Sequence, residues 1–174
     1  MQILAIHPEV SRTKVGVWDS GILYSNTIPW EEQTAHFLQN EITEWLHTIP
    51  IPVQSLQAVA ARGGYLKPIQ SGVYEINDLM IRDSQQGQYG NHPANLGPIV
   101  GSYFMELLAI PGFVVDPVSV NEVWPKAMVT GCPDMIRNSY GHALTIRYVS
   151  RMAAEEQQIS LETSRFVVAH LSTE

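Results

Sequence analysis

Arg62-Gly63-Gly64 is the clearest local sign of chemistry in this sequence. Glycine lets a backbone and a ligand approach each other closely, and the planar guanidinium of arginine can bind a carboxylate or a phosphate through two parallel hydrogen bonds. The three residues are therefore compatible with an anion site. They are also compatible with a tight turn that carries a solvated arginine, and the pattern by itself favours this second interpretation.

Asp116 is the second candidate, because it follows a short apolar segment and precedes Pro117. A carboxylate in that place can organise a metal ion or orient a reacting group. An aspartate before a proline is also typical of a turn or a helix cap. The residue in isolation favours this structural role.

The histidines carry weaker signals. His142 shares a predicted helical face with apolar residues, as a core histidine does, and His92 lies in a polar loop where a solvated imidazole is expected. His7 and His170 stand at the ends of predicted strands. The six histidines and the single Cys132 show no spacing typical of a metal site.

The elements that must position these residues follow from the hydrophobic pattern. Strands are predicted at residues 3–6, 14–18, 22–28, 56–61, 73–76, 166–170 and within 112–117, and helices at 37–49, 96–108 and 140–157. Three early strands with short connections indicate an antiparallel meander, and the later alternation indicates a mixed sheet with helices on its faces. Ligands bind such sheets at the carboxyl ends of strands, where Arg62, Asp116 and His170 are all predicted.

Composition excludes several classes of function. About 45% of the residues are hydrophobic, so a packed core is expected rather than disorder. Lysine and arginine number 10 against 17 acidic residues, and they form no cluster, so a nucleic-acid partner is not expected. There is no run of about 18 apolar residues and no signal peptide pattern. One cysteine allows no internal disulfide, and a cytoplasmic location away from the membrane is expected.

Five segments, taken in order, resemble the butyrate kinases. They read AVAARGGYLKPI at 58–69, SGVYEIN at 71–77, NHPANLG at 91–97, IPGFVVDPVSVNE at 110–122 and FVVAHL at 166–171. On these motifs the chain resembles the N-terminal half of the acetate and butyrate kinases. That family belongs to the superfamily of actin and the sugar kinases.

The resemblance implies the fold. It implies an α/β domain of the ribonuclease H-like (actin-like ATPase) kind, with a mixed sheet and helices on both faces, spanning residues 1–160. It implies that residues 161–174 begin the first strand of a second domain that is otherwise missing.

The resemblance also implies phosphoryl transfer between ATP and a short-chain carboxylate, with Mg²⁺. Arg62 would bind the carboxylate and the transferred phosphoryl group, Asp116 would orient the reactants and support the Mg²⁺ ion, and His142 would contact the phosphoryl group in flight. These three residues are expected to converge on one solvent-reachable cleft. Further binding residues are implied for phosphate or ATP at Ser11, Thr13, Lys14 and His170, and for the substrate at Arg62, Gly63, Gly64, His92 and Asn95.

Two departures from the family pattern weaken this expectation. In residues 7–14, His7 replaces an asparagine, Glu9 a glycine and Val10 a serine of the segment that cradles phosphate. Glu9 adds bulk and negative charge there, and a like-charge pair at about 5 Å and an effective dielectric of about 20 costs about 3 kcal/mol. After His170, where the family continues into a glycine-rich turn, the sequence reads LSTE and ends at Glu174, so the second phosphate-binding segment and the adenosine pocket are expected to be absent.

The leading hypothesis is therefore a butyrate-kinase-like protein that is inactive as a lone chain. ATP and Mg²⁺ are implied by the resemblance, and the alternative that this chain binds neither stays open. A second hypothesis is an active carboxylate kinase rebuilt by self-association or with a separately encoded C-terminal half, and a third is a non-catalytic scaffold. A homodimer through the C-terminal helix and strand is expected, because an unpaired apolar strand is a template for another chain.

Overall fold

Six strands and five α-helices form in the part of the chain that the computed structural model describes, residues 1–137, 139 and 141–171. The strands are β1 Gln2–Pro8, β2 Arg12–Asp19, β3 Ile22–Pro29, β4 Ala58–Arg62, β5 Val73–Glu75 and β6 Gly112–Val115. The helices are α1 Ala35–Leu46, α2 Asp78–Gln86, α3 Leu96–Leu108, α4 Pro125–Met128 and α5 Ala143–Glu156.

The strands form one mixed sheet in the order β3-β2-β1-β4-β6-β5. The first three are antiparallel neighbours, β4 and β6 run parallel to β1, and β5 is an antiparallel edge strand. The β2–β3 turn has positive φ angles at both central residues, 49° at Ser20 and 102° at Gly21, which matches the twist of a two-residue hairpin. The predicted meander and mixed sheet are confirmed.

The hydrophobic core lies on one face of the sheet. Alternate strand residues such as Leu4, Ile6 and Val59 are fully buried there, since successive side chains of a strand point to opposite faces. Helices α1 and α3 cover this face, with Leu38 and Phe104 completely buried against the strands. α2 packs on α3 at the β6 end of the same layer.

The opposite face is more open. Its residues on the central strands are small, with Ala5 exposed and Ala60 half-buried. Helix α5 approaches this face through Leu144, at its start, which lines a cavity together with Val115. The second helical layer is thus thin in the described residues, and it leaves a recess at the carboxyl ends of β1, β4 and β6.

Two helices, α2 and the short α4, were not predicted, and one predicted strand does not form. Helix α2 was not predicted, because its polar composition hides the apolar stripe, although Asn77 caps its start through Met80 N–H and Gly87 ends it with a φ of 61°. Residues 166–170 were predicted as a strand and form none; among the described residues no strand pairs with them, and a strand needs a partner for its backbone groups. The domain division after residue 160 stays a prediction, and residues 172–174 of the second segment lie outside the described part.

No helix in the described residues is long and apolar enough to span a membrane.

Candidate anion-binding site

Arg62 stands at the centre of a cluster of histidines. Its Nη1 lies 2.9 Å from His7 Nε2 and its Nη2 lies 3.1 Å from His142 Nδ1. A guanidinium can only donate hydrogen bonds, so both ring nitrogens must accept. The two imidazoles are therefore neutral in this arrangement, with their protons on His7 Nδ1 and His142 Nε2.

The sheet topology explains this meeting of distant residues. β1 and β4 are parallel neighbours, with Ile6 opposite Ala61, so their carboxyl ends bring His7 next to Arg62. His142 directly precedes α5 and joins them from the end of the sheet. Residues 55 and 80 positions from Arg62 thus meet at one strand end.

A polar cavity of about 340 Å³ opens beside this cluster. His170 belongs to it, with its ring centroid 4.3 Å from that of His142. The lining side chains are mostly cationic or imidazole groups: His7, Glu9, Arg12, Lys14, Arg62, His142, Thr145 and His170. Such a cavity favours an anion.

Among the described residues, Glu9 is the one carboxylate that lines the cavity. Its oxygens accept from Arg12 Nε and Lys14 Nζ, each at 2.7 Å. Burial raises the pKa of Glu9, but the hydrogen bonds from Lys14 and Arg12 outweigh it and hold the pKa below its ordinary value. Glu9 therefore stays ionised and already neutralises two of the cations that an incoming phosphate would meet.

An apolar cavity of about 230 Å³ adjoins the polar one on the open face of the sheet. Its floor is made of small and apolar side chains, including Ala5, Ala60, Val115 and Leu144. His7 and Arg62 line both cavities. Arg62 therefore lies at the boundary between a charged recess and an apolar one.

His7 has an electrostatic environment that opposes protonation. Burial, followed by the positive charge of Arg62, lowers the pKa of His7 from 6.5 to about 4, although Glu9 acts in the opposite direction. Because the folded-state pKa is depressed, the folded protein resists taking up a proton that the unfolded chain accepts at pH 6.5. This contribution to stability is fully present above about pH 6.5 and is lost as the pH falls towards 4.

We therefore expect the His7→Asn variant to lose stability less steeply than the wild-type chain between pH 6.5 and 4. The measurement is the free energy of unfolding from urea titrations at several pH values in that range. The slopes should be compared, because the substitution also changes the hydrogen bond to Arg62 at every pH. Equal slopes would show that His7 is protonated as easily in the folded as in the unfolded chain.

Asp116 lies beside this cluster in the backbone but is engaged elsewhere. It follows Val115, the strand partner of Arg62, and adopts a strained φ of 39°. Its Oδ1 accepts from Gly72 N–H at 2.7 Å, and its Oδ2 lies 3.8 Å from Arg147 Nε. The structure brings Arg62 and His142 together, whereas the Asp116 carboxylate is 6% exposed and does not line either cavity around Arg62.

Protein packing leaves no room for a side chain at either of the two glycines after Arg62. A Cβ at Gly63 would lie 2.5 Å from a Val114 methyl, and one at Gly64 would lie 2.0 Å from Asn95 Oδ1. The close approach of a ligand stays a prediction, whereas protein groups do approach both positions. The groups that approach are side chains of β6 and of the turn before α3.

Asn95 and His92 hold the loop that follows Arg62. Asn95 is buried; its Oδ1 accepts from Tyr65 N–H and its Nδ2 donates to the Gly90 carbonyl. His92 Nδ1 accepts from Ala94 N–H, and burial lowers the His92 pKa to about 4, with Arg62 and His142 adding to the effect. These geometries give both residues structural roles, and their roles towards a substrate stay predictions.

Only some of the residues predicted to bind phosphate or ATP line the polar cavity. Lys14 lines the polar cavity, as does His170. Ser11 is exposed and outside the cavity lining, while Thr13 is fully buried and its hydroxyl has no hydrogen-bond partner among the described residues. Sequence reasoning gave no part in the site to Thr145 or Arg147, which nothing in the α5 pattern distinguishes from their neighbours.

Comparison with known proteins agrees with this architecture. No protein-family model matches the chain. It is 33% identical to a probable butyrate kinase 2 of Caldanaerobacter subterraneus subsp. tengcongensis, over 98% of this chain and 51% of that protein. It is 35% identical to a probable butyrate kinase of Maridesulfovibrio salexigens, over 98% of this chain and 50% of that protein. The chain thus spans about half the length of these curated relatives.

Solved structures show the same fold. Acetate kinase of Porphyromonas gingivalis superposes with a TM-score of 0.66 at 15% identity, over 94% of this chain and 51% of that one. Acetate kinase of Entamoeba histolytica gives 0.63 at 11% identity, over 90% and 46%, and a propionate kinase of Francisella tularensis gives 0.59 at 15%, over 91% and 49%. The domain is therefore an α/β domain of the ribonuclease H-like kind. The chain is thus similar over nearly its whole length to probable butyrate kinases and shares the fold of acetate and propionate kinases, which fits the N-terminal half of a kinase of this kind.

Proposed function

We propose that this chain is the carboxylate-binding half of a butyrate-kinase-type phosphotransferase, and that Arg62 binds the carboxylate. The observation that carries the proposal is the position of Arg62 between a polar and an apolar cavity. A short-chain carboxylate has a charged head and an apolar tail, and this pair of recesses offers a complement to each. The names of the relatives support the same substrate class.

The cluster has the properties that phosphoryl transfer requires of this half. Catalysis of that reaction is mostly positioning and charge stabilisation rather than covalent chemistry. The fork of Arg62 can hold carboxylate or phosphoryl oxygens. His142 keeps its proton on Nε2 and so offers a further donor on the cavity-lining ring, while Lys14 and His170 add positive charge or hydrogen bonds at the outer end.

The direct test is calorimetric titration of the chain with butyrate and with butylamine. The two ligands share an alkyl tail and differ in the sign of the charged head. Butyrate should bind and butylamine should not, because the Arg62 guanidinium attracts an anion and repels a cation. Equal affinity for the two, or no binding of butyrate at concentrations where propionate or acetate binds, would contradict the proposed substrate class.

We further propose that the chain assayed alone forms no acyl phosphate from butyrate and ATP. The support is Glu9, whose carboxylate occupies Arg12 and Lys14 at the phosphate side of the cavity. Trapping of acyl phosphate with hydroxylamine is the measurement. Turnover above about 1 per second, a typical low rate for a kinase, would contradict it.

The Glu9→Gln variant isolates this effect. Removal of the negative charge should release Arg12 and Lys14 and tighten the binding of inorganic phosphate about tenfold, or about 1.4 kcal/mol. Glu106→Gln is the matched control, because Glu106 is exposed on α3, which contributes no side chain to the polar cavity. Unchanged phosphate affinity in Glu9→Gln would show that Glu9 does not compete with the anion.

A second candidate is an assembly of this chain with another copy of itself or with a separately encoded second half. Such an assembly would act either as a carboxylate kinase or as a non-catalytic scaffold. The supporting observation is an apolar stripe on α5, where Ile146, Val149 and Met152 are each 41–50% exposed. Val167 and Leu171 in the following segment are almost fully exposed. Exposed apolar surface of this kind favours association by about 25 cal/mol per Å² buried.

We expect the chain to self-associate at tens of micromolar, as measured by sedimentation velocity. Val149→Glu should shift the population to monomer, because it places a charge in the apolar stripe. Val129→Glu is the matched control, since Val129 is 74% exposed and lies outside α5. A wild-type chain that is monomeric at this concentration would contradict the proposed dimer. If Val149→Glu and Val129→Glu reduced the dimer population equally, the interface would not be specific to α5.

A further inference from the structure

We propose that Arg147 is the fixed counter-cation of Asp116, so that the anion site of this chain operates without a divalent metal ion on that carboxylate. The family resemblance implies a Mg²⁺ ion supported by Asp116. The side chains around Asp116 do not fit that role, and their arrangement assigns the positive charge to Arg147 instead. The inference concerns a different group from Arg62 and does not depend on the identity of the carboxylate substrate.

Both oxygens of Asp116 already face donors. Oδ1 accepts from Gly72 N–H at 2.7 Å, and Gly72 returns the interaction by accepting from Asp116 N–H at 3.0 Å. Oδ2 lies 3.8 Å from Arg147 Nε. A buried carboxylate needs such compensation. The backbone exchange with Gly72 satisfies one oxygen and the guanidinium charge compensates the other.

Arg147 is itself held in place. Its Nη2 lies 3.6 Å from Glu122 Oε2 and donates to the Ser71 hydroxyl, which in turn donates to Glu122. Glu122 Oε1 also accepts from Ser71 N–H at 2.9 Å. These hydrogen bonds from Ser71 lower the pKa of the Glu122 carboxyl, so Glu122 stays ionised and attracts the guanidinium.

This network disfavours a divalent cation at Asp116 on electrostatic grounds, because the Arg147 guanidinium already lies 3.8 Å from Oδ2. A hard cation such as Mg²⁺ binds carboxylate oxygen at about 2.1 Å and demands a near-octahedral set of oxygens. At Asp116 Oδ2 such an ion would stand within a few ångströms of the Arg147 guanidinium, and the two positive charges would repel each other. Across the described residues, no group of three or more histidine, cysteine, aspartate or glutamate side chains is arranged to share a metal ion.

The test uses Mn²⁺ as the probe for a hard divalent cation, with binding followed by electron paramagnetic resonance of the purified chain. The wild-type chain should bind no Mn²⁺ through Asp116. Its affinity for inorganic phosphate, measured by calorimetry, should change less than twofold when Mg²⁺ is replaced by EDTA. The Arg147→Gln variant should bind Mn²⁺ at least tenfold more tightly than the wild type, since Asp116 and Glu122 then lack a counter-charge.

Two further variants make the result specific. Arg147→Lys keeps the charge and should bind Mn²⁺ as poorly as the wild type, and the double variant Asp116→Asn with Arg147→Gln should lose the gain.

Stoichiometric Mn²⁺ binding by the wild type that disappears in Asp116→Asn would overturn the inference. So would a folded Arg147→Gln variant with no gain. If Arg147→Gln does not fold, the wild-type measurements with EDTA and Mn²⁺ still show whether a divalent ion binds at Asp116. Failure of butyrate to bind would count against the proposed function and leave these Mn²⁺ results readable.

Discussion

Replacing Arg62 with lysine should weaken the binding of butyrate and of inorganic phosphate by about tenfold to a hundredfold. Lysine keeps the positive charge but not the planar fork, so it cannot make two parallel hydrogen bonds to a carboxylate. A hydrogen bond to a charged group contributes about 1.5–3 kcal/mol, which corresponds to this range of affinity. Arg62→Ala should lose the remaining charge attraction as well and reduce binding below detection by calorimetry.

The matched control is Arg82→Lys. Arg82 is an exposed arginine of α2, 3.8 Å from Asp83, and lies outside both cavities. It should leave both affinities within twofold of the wild type. Thermal unfolding must be recorded for each variant, because Arg62 also hydrogen-bonds to His7 and His142. A folded Arg62→Ala variant that binds butyrate as well as the wild type would remove Arg62 from the carboxylate site.

The strands and most helices could be predicted because their signals are local. Short apolar runs at residues 3–6 and 14–18 mark β1 and β2, and Asp19-Ser20-Gly21 marks the turn before β3, so the meander follows from short-range patterns. Helix α2 was not predicted because its composition is polar, although Asn77 and Gly87 are recognisable caps. The apolar run at 166–170 has strand propensity, but it forms no strand because a strand also needs a neighbour to pair with.

The site was harder to predict because its contacts are long-range. Arg62 and His142 are 80 residues apart, and neither the glycines nor the helical face of His142 indicates that they meet. The family resemblance supplied the pairing. It did not supply the partners of Asp116, because an ion pair with Arg147 depends on where α5 docks rather than on any local pattern.

The contacts of the glycines also depend on long-range packing. The sequence indicates that Gly63 and Gly64 permit a close approach, and the structure shows that β6 and Asn95 make it. Which atom approaches a glycine is a property of the packed domain. A third glycine, Gly97, has the closest approach of this kind, and no feature of helix propensity reveals it.

Replacing Gly97 with alanine should destabilise the domain by about 3 kcal/mol or more. Alanine favours a helix over glycine by about 1 kcal/mol, so propensity alone predicts the opposite sign. The structure decides against propensity, because a Cβ at Gly97 would lie 1.9 Å from the carbonyl oxygen of Arg62. Backbone at the end of β4 cannot move aside as a flexible side chain can, so the start of α3 must shift away from the sheet. Overpacking of this kind typically costs about 1–3 kcal/mol, occasionally more.

For a chain of this size, about 3 kcal/mol corresponds to a fall in melting temperature of roughly 6–12 °C. Gly131→Ala is the matched control, since a Cβ added at Gly131 would have no atom within 4 Å and the backbone there is not left-handed; it should change stability by less than about 0.5 kcal/mol. Because α3 would lose its close packing against the carbonyl of Arg62, Gly97→Ala should also weaken butyrate binding at temperatures where the variant is still folded. A variant that melts with the wild type would mean that α3 and β4 can separate at no cost, and would place the rigid support of Arg62 elsewhere than in this contact.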